Sequence, residues 1–301
     1  MFELGIVIVN YNTRDLLRGC LQSLAANRSV SFITYVVDNH SPDGSAEIVR
    51  AEFPNVKLIS SDTNGGYAYA NNLGLRKILD LHPAPAFALL LNPDTVLPRD
   101  ALAQMIEFFR AHPDAGIAGP KLIRSNGKLD PACRRSFPDP ANSIYHILYL
   151  DRIFRKSKRF ARYNLTFLDE NKIAQVDSVV GAFMLLRTEA LRQAGLLDET
   201  YFMYGEDLDF ALRIKQRGWQ VYYNPGVHVL HVKRAASRGD ARARYEFWRA
   251  AYIFYQKHYA RVTPFFMRAL IAFGLAFKGG PRLIAEMTRP LPPAPNAAEI
   301  R

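Results

Sequence analysis

Three short runs, Gly5–Val9, Phe32–Val37 and Phe87–Leu91, are dominated by apolar residues and stop abruptly at polar ones. Asn10-Tyr11-Asn12 closes the first, Asp38-Asn39 the second and Asn92-Pro93-Asp94 the third. Apolar runs of that length without alternation are the pattern of strands buried on both faces, which occur in parallel sheets covered by helices. Helical patterns fill the gaps. Thr13 is placed to cap a helix with Leu17, Cys20, Leu21 and Leu24 on one stripe, and a second short helix is expected over Asp43–Glu52. Val56–Ser60 reads as a third strand, the Asp62–Gly66 turn leads into a helix over Tyr67–Leu81, and Pro98 suits the first residue of a helix running to Ala111. This alternation over residues 1–120 predicts an α/β fold with a mainly parallel sheet flanked by helices. In such sheets the ligand crevice lies beyond the carboxyl ends of the strands, where these polar closures stand.

From Gly116 the strands shorten. Asn126-Gly127 is a hairpin turn between Leu122-Ile123 and Lys128-Leu129. Strands are expected at Val176–Val180, Phe183–Arg187, Trp219–Tyr223 and Val227–Val232, and a helix over Glu206–Arg217 stops at Gly218. Residues 121–240 thus form a mixed second half of the same domain, 241–301 are helical, and 290–301, rich in Pro and Ala, read as a loose tail.

Composition narrows the partners. With 301 residues, 49% of them hydrophobic, the chain can bury a sizeable core. Cys20 and Cys133 are its only cysteines, which supports neither a disulfide framework nor a zinc finger and fits a reducing cytosol. No charged leader precedes an apolar stretch, so no signal peptide is expected. The net charge of +11 implies an anionic partner, and eleven Lys or Arg against three Asp fall within residues 121–165. That stretch reads equally as a solvated loop. Phe265–Phe277 is apolar apart from Arg268, too short for the ~20 residues that span a bilayer. It suits an interfacial helix at an anionic membrane surface or a simple docking helix; we favour peripheral membrane association.

Several side chains are candidates for chemistry. Asp94, at a strand end, is placed to hold a divalent cation and through it a diphosphate. Asp38 and Asn39 could hydrogen-bond a base or ribose; the competing reading, that such acids cap the next helix, is weakened by Ser41 and Asp43, which already supply caps. Asn64-Gly65-Gly66 can bring backbone close to a ligand, with Asn71 one helical turn beyond Tyr67. Tyr204-Gly205-Glu206-Asp207-Leu208-Asp209 opens a helix with three acids, which either complement its dipole or present a general base. In Val227–His231, alternation places Val227, Val229 and His231 on one face and His228 on the other; each histidine is structural or a ligand, and His231, followed by Lys233, Arg234, Ser237 and Arg238, is the better candidate for metal or phosphate contact.

Taken together, Ile8–Asn12, Val37–Ser41, Asn64–Ala68 with Asn71, Leu91–Asp94, Gly181-Ala182 and Gly205–Asp209 resemble family 2 glycosyltransferases, with the rhamnosyltransferase-like branch the best match. His231–Lys233, Ser237-Arg238, Tyr245–Phe247 and Lys257–Tyr259 resemble the C-terminal part of that branch. The resemblance implies a GT-A fold, a nucleotide-diphospho-sugar donor carrying dTDP or UDP, a divalent cation (Mg or Mn) and inversion at the anomeric carbon. It implies that Asn10, Tyr11, Asn12, Asp38, Asn39, Asn64, Gly65, Gly66 and Asn71 line the donor pocket with Asn92 and Asp94. Asp94 and His231 would hold the metal, Gly181, Ala182 and Glu206 would contact substrate, and Asp207 would be the base. The acceptor would be a saccharide or lipid-linked saccharide. Here Asn92 stands where that metal motif carries its first acid, leaving Asp94 as its one carboxylate.

Other classes fit less well. A sugar-nucleotide nucleotidyltransferase needs a Gly-rich basic loop after the first strand, where this chain has Asn10–Thr13. A non-catalytic nucleotide-sugar-binding protein would not need Asp94, Asp207 and His231 together. No G-x-G-x-x-G or P-loop is present, and the basic stretch lacks the regularly interleaved aromatics that stack nucleic-acid bases.

Overall fold

A computed structural model of the chain describes residues 1–147, 149–232 and 241–289. The expected tail at 290–301 and the basic residues Lys233, Arg234 and Arg238 with Ser237 lie outside the described residues.

The parallel half forms as its pattern dictates. Strands β1 (Leu4–Asn10), β2 (Phe32–Asp38), β3 (Lys57–Ser60) and β4 (Phe87–Leu91) alternate with helices α1 (Arg14–Ala25), α2 (Ser45–Glu52) and α3 (Tyr67–Leu79). They pair in parallel in the order β3-β2-β1-β4, and Asn10 lies beside Asp38 in register. Every residue of β1 and β4 is buried, which is why those runs show no polar alternation.

The second half extends the same sheet. It contains β5 (Thr95–Val96), α4 (Ala101–Ala111), β6 (Ala115–Arg124), α5 (Pro140–Ile147), α6 (Leu150–Ile153), β7 (Ala174–Val176), β8 (Phe183–Arg187), α7 (Thr188–Ala194), α8 (Glu206–Gln216) and β9 (Gln220–His231). Strand β8 runs antiparallel to both β4 and β6, β6 and β9 are parallel, and β9 takes β5 and β7 antiparallel. Helices α9 (Ala241–His258) and α10 (Phe265–Met287) are the last described elements. The main core fills both sides of the sheet, from Ile6 and Val36 to Phe183, Phe210 and Val229.

Several local expectations are corrected. Thr13 does not cap α1 through its side chain: its hydroxyl donates to Asn10 Oδ1 (2.6 Å), and Asp43 Oδ2, from another loop, accepts from Arg14 N (2.9 Å). Helix α4 starts three residues after Pro98: Asn27 Oδ1 takes Leu102 N (3.2 Å), the donor a helix from Pro98 would use, while the Pro98 carbonyl accepts from Asn27 Nδ2 (2.9 Å) and Ala101 N (3.2 Å). Trp219–Tyr223 and Val227–Val232 are one strand, β9, whose register against β6 shifts where Pro225 and Gly226 interrupt it. The Val176–Val180 strand ends at Val176, since Asp177 and Ser178 turn to bond the backbone of Arg135. The hairpin at Asn126-Gly127, by contrast, forms as expected: Gly127 adopts φ 74, and the bonds from Arg124 N to Lys128 O (2.9 Å) and from Asp130 N to Leu122 O (2.8 Å) flank an antiparallel Ile123–Leu129 bridge.

Candidate active site

The carboxyl ends of β1, β2, β3, β4 and β9 lie on one side of the sheet. On the parallel side, Asn10 Nδ2 donates to Asp38 Oδ1 (3.0 Å) and to Ser41 Oγ (3.1 Å), while Asp38 Oδ2 accepts from Ser41 N (3.1 Å). Both residues are buried, so Asp38 braces its own loop as well as standing at the crevice. Asn39 reaches across: its Nδ2 donates to Asn64 Oδ1 (2.8 Å) and its Oδ1 accepts from Gly65 N (3.1 Å). The loops after β2 and β3 are thereby one polar wall. Tyr11 and Asn12 lie exposed at its lip, and Asn71 is buried, donating to the Tyr67 carbonyl (2.9 Å).

Gly66 is fixed by a close approach. Its φ is +89, and a Cβ there would stand 2.3 Å from the Phe202 carbonyl oxygen, which also accepts from Tyr67 N at 2.7 Å. This contact joins the two halves of the domain. Tyr67 then spans the crevice, its hydroxyl donating to the Gly181 carbonyl (2.8 Å). Burial, then the charges of Glu206 and Asp207 and, more weakly, Asp94, push the Tyr67 phenol well above its ordinary value. Asp207 Oδ2 accepts from the N–H of the same Gly181 (3.4 Å), so Tyr67 and Asp207 meet at that residue. Ala182 is in the same place, its carbonyl accepting from Asn92 N (2.9 Å).

The cation candidates form a chain of contacts. Asp94 Oδ1 stands 3.3 Å from His231 Nε2, and His231 Nδ1 bonds Asp130 Oδ2 (3.0 Å). Burial opposes a charge on the imidazole, but the bonds to Asp130 and Asp94 outweigh it and push His231 up to about 9. Asn92 Oδ1 is buried without a hydrogen-bond partner. No cluster of three or more His, Cys, Asp or Glu able to hold a metal occurs among the described residues. What is present nonetheless fits a magnesium-like ion that takes one carboxylate and completes its shell with substrate phosphates. Asp94 and His231 would hold it, the orphaned Asn92 oxygen is an acceptor left over beside them, and Asp130 fixes the ring as outer carboxylates do.

At the start of α8, Gly205 adopts φ 79 and turns the chain into the helix. Asp207 accepts from three donors: Leu208 N at Oδ1 (2.8 Å), and Gly181 N (3.4 Å) and Arg135 Nη2 (2.6 Å) at Oδ2. Glu206 differs. Its Oε2 has no partner, and burial, then the charge of Asp207, pushes its carboxyl up to about 8. Asp209, on the same turn, is wholly buried and bonds Arg213 Nε (2.8 Å), Lys257 Nζ (2.7 Å) and His258 Nε2 (2.8 Å). Burial alone would raise its carboxyl, but His258, Arg213 and Lys257 together hold it well below the usual carboxylate range.

Three of these participants escape a reading of the sequence: Asp130, Arg135 and the Lys257-His258 pair as partners of Asp209. Asp130 and Arg135 sit in the basic stretch, where the one usable signal was the turn at Gly127 that returns the chain toward β6.

Comparison with known proteins places this arrangement. The family model described as glycosyltransferase like family 2 matches residues 3–246. N-acetylglucosaminyl-diphospho-decaprenol L-rhamnosyltransferase of Mycobacterium tuberculosis is 28% identical over 245 residues, covering 79% of this chain and 78% of that protein. Rhamnosyltransferase WbbL of Escherichia coli K12 is 24% identical over 236 residues, covering 75% of this chain and 82% of its own. Among solved structures, mannosyltransferase PcManGT from Pyrobaculum calidifontis, in complex with GDP-Man and Mn2+, superposes with a TM-score of 0.57 at 18% identity, over 95% of this chain and 83% of that one. The likeness to that structure establishes the fold, which is GT-A as expected.

Proposed function

This chain belongs to the glycosyltransferase like family 2, and from that premise we propose that it is an inverting, cation-dependent transferase. It moves a sugar, rhamnose in the first instance, from a dTDP- or UDP-linked donor to a hydroxyl of a lipid-linked saccharide in surface polysaccharide synthesis. The observation that carries the reading is the meeting of Tyr67 and Asp207 at Gly181, next to Ala182, whose carbonyl holds Asn92 N two residues before Asp94; this links a helix-start base to a strand-end metal candidate. The identity to rhamnosyltransferases, one of them named for a diphospho-decaprenol substrate, supports the sugar and the acceptor class.

In this reading residues 1–120 hold the donor and 121–240 the acceptor. The wall of Asn10, Tyr11, Asn12, Asp38, Asn39, Asn64, Gly65, Gly66 and Asn71 takes the nucleoside. Asp94 and His231 hold a divalent cation with Asn92 beside it, and that ion supplies neutralising charge for the diphosphate when bound. Asp207 accepts the proton of the acceptor hydroxyl as its oxygen bonds to the anomeric carbon and the bond from that carbon to the diphosphate oxygen breaks. One displacement inverts the centre. Glu206, Gly181 and Ala182 border the sugar. A lipid-linked acceptor brings the work to a membrane surface, which suits a cytoplasmic protein held peripherally at the cell membrane.

The test is a panel of nucleotide sugars, with and without Mg2+ or Mn2+, scored by protection against thermal unfolding and by transfer. Asp94→Ala should lose cation-dependent protection, and Asp207→Asn should lose transfer while keeping donor protection. Full transfer by purified Asp207→Asn protein would sink the base assignment.

A further inference from the structure

Helix α10 carries an apolar stripe that nothing in the described chain covers. Phe266, Leu270, Phe273 and Phe277 recur at intervals of four, three and four, which aligns them along one side of a helix. Together with Phe265 they are 62% to 85% exposed, and the rings of Phe273 and Phe277 stack at 6.4 Å. The opposite side is already occupied. Leu275 and Leu283 are buried with Tyr252 of α9, and Ile271 and Met287 pack against that cluster. Glu286 is gripped by Arg249 Nε (2.6 Å) and by the Tyr245 hydroxyl. Docking onto α9 therefore accounts for one side of α10 and leaves the aromatic side without a purpose in the fold.

Charge chooses the occupant. From Tyr259 to Ala285 the chain has Arg261, Arg268, Lys278 and Arg282 and no acid. A second copy laid face to face on this stripe would bring like charges together, whereas an anionic bilayer would neutralise them while taking up the aromatic rings. No described helix is long and apolar enough to cross a membrane, and α10 is broken at Gly280 (φ 75) before Pro281, so the helix can lie along a surface but not span it.

We infer that the Phe266–Phe277 stripe of α10 is the membrane-seated face of this protein and that its partner is the headgroup and upper acyl layer of an anionic phospholipid bilayer. The inference goes beyond the transfer reaction and stands without it. The full chain should float with phosphatidylglycerol-containing vesicles and not with phosphatidylcholine vesicles, and salt should weaken the association. A Phe266→Ser, Phe273→Ser, Phe277→Ser variant should lose at least about tenfold in vesicle affinity, with an unchanged melting temperature. Should that variant fail to fold, Phe273→Trp keeps the question open to measurement, because its added indole fluorescence should shift to the blue with anionic vesicles alone. The inference is overturned if the wild-type chain ignores anionic vesicles, if the triple variant folds and binds like wild type, or if the indole signal of Phe273→Trp does not move. A wild-type dimer that ignores vesicles and that the triple variant converts to monomer would assign the stripe to a second copy instead. Donor hydrolysis in the same samples reports on the transfer reaction separately, so either reading can fail alone.

Discussion

Arg135 Nη2 lies 2.6 Å from Asp207 Oδ2, and both side chains are nearly buried. The backbone of Arg135 is in turn bonded to Asp177 and Ser178, just before Gly181, so the guanidinium is carried by the segment that borders the crevice. An ion pair this enclosed gains more from Coulomb attraction than a surface pair, and its geometry fixes which carboxylate oxygen stays turned to Arg135.

Arg135 is accordingly expected to position Asp207. Arg135→Gln should lower kcat by about a hundredfold while donor KM stays within about twofold, and Arg135→Lys should recover part of the loss. Steady-state kinetics on protein of matched melting temperature decide it. Equal changes in kcat and KM, or no change, would remove the role.

The Asp130–His231–Asp94 chain leads to a second expectation. Asp130→Asn should weaken cation affinity by about 10- to 100-fold, as outer carboxylates behind a ligating histidine do, and Asp94→Ala should abolish the measurable heat. Calorimetric titration of Mg2+ or Mn2+ into protein preloaded with nucleoside diphosphate gives both values. Asp130→Asn binding like wild type would reduce Asp130 to a packing role.

Glu206 predicts a pH dependence of stability. Its folded carboxyl is pushed up to about 8 from an ordinary 4.5, so between those values the folded chain holds a proton that the unfolded chain releases. That contribution is complete below the lower value and is lost as pH rises through the upper one. The wild-type melting temperature should therefore fall more steeply from about pH 5 to about pH 8 than that of Glu206→Gln. Parallel curves in a melting series across that range would contradict it.

Asp209 is expected to matter for stability. Asp209→Asn leaves Arg213, Lys257 and His258 around a neutral amide and should cost about 3 kcal/mol in urea unfolding. A loss below about 1 kcal/mol would mean the cluster behaves like a surface pair.

The parallel half was legible because β1 and β4 are buried throughout, which leaves uninterrupted apolar runs whose polar ends mark the crevice. Boundaries set by a distant partner were not. Thr13 has the right chemistry for a cap, yet Asp43 reaches Arg14 N first, and Pro98 looks like a helix start until Asn27 takes the Leu102 N–H that its carbonyl would need. The site divides the same way. Asp94, Asp207 and His231 stand at element ends visible in the pattern, whereas Asp130 meets His231 across 101 positions, a distance that only the pairing of β6 with β9 closes. Arg135 was one cation among many in a stretch with no periodicity to distinguish it.

The clasp between Lys257-His258 and Asp209 also limits how the polypeptide can be partitioned. Asp209 follows Asp207 by two positions on α8, and two of its three counter-ions come from the far end of α9, the helix on which α10 rests. A shortened version cut after the last strand would strip away that support and reshape the first turn of α8. Exchanging the C-terminal arm between relatives should likewise succeed only when the seam falls beyond Tyr259, so that α9 stays with α8 and α10 alone is exchanged.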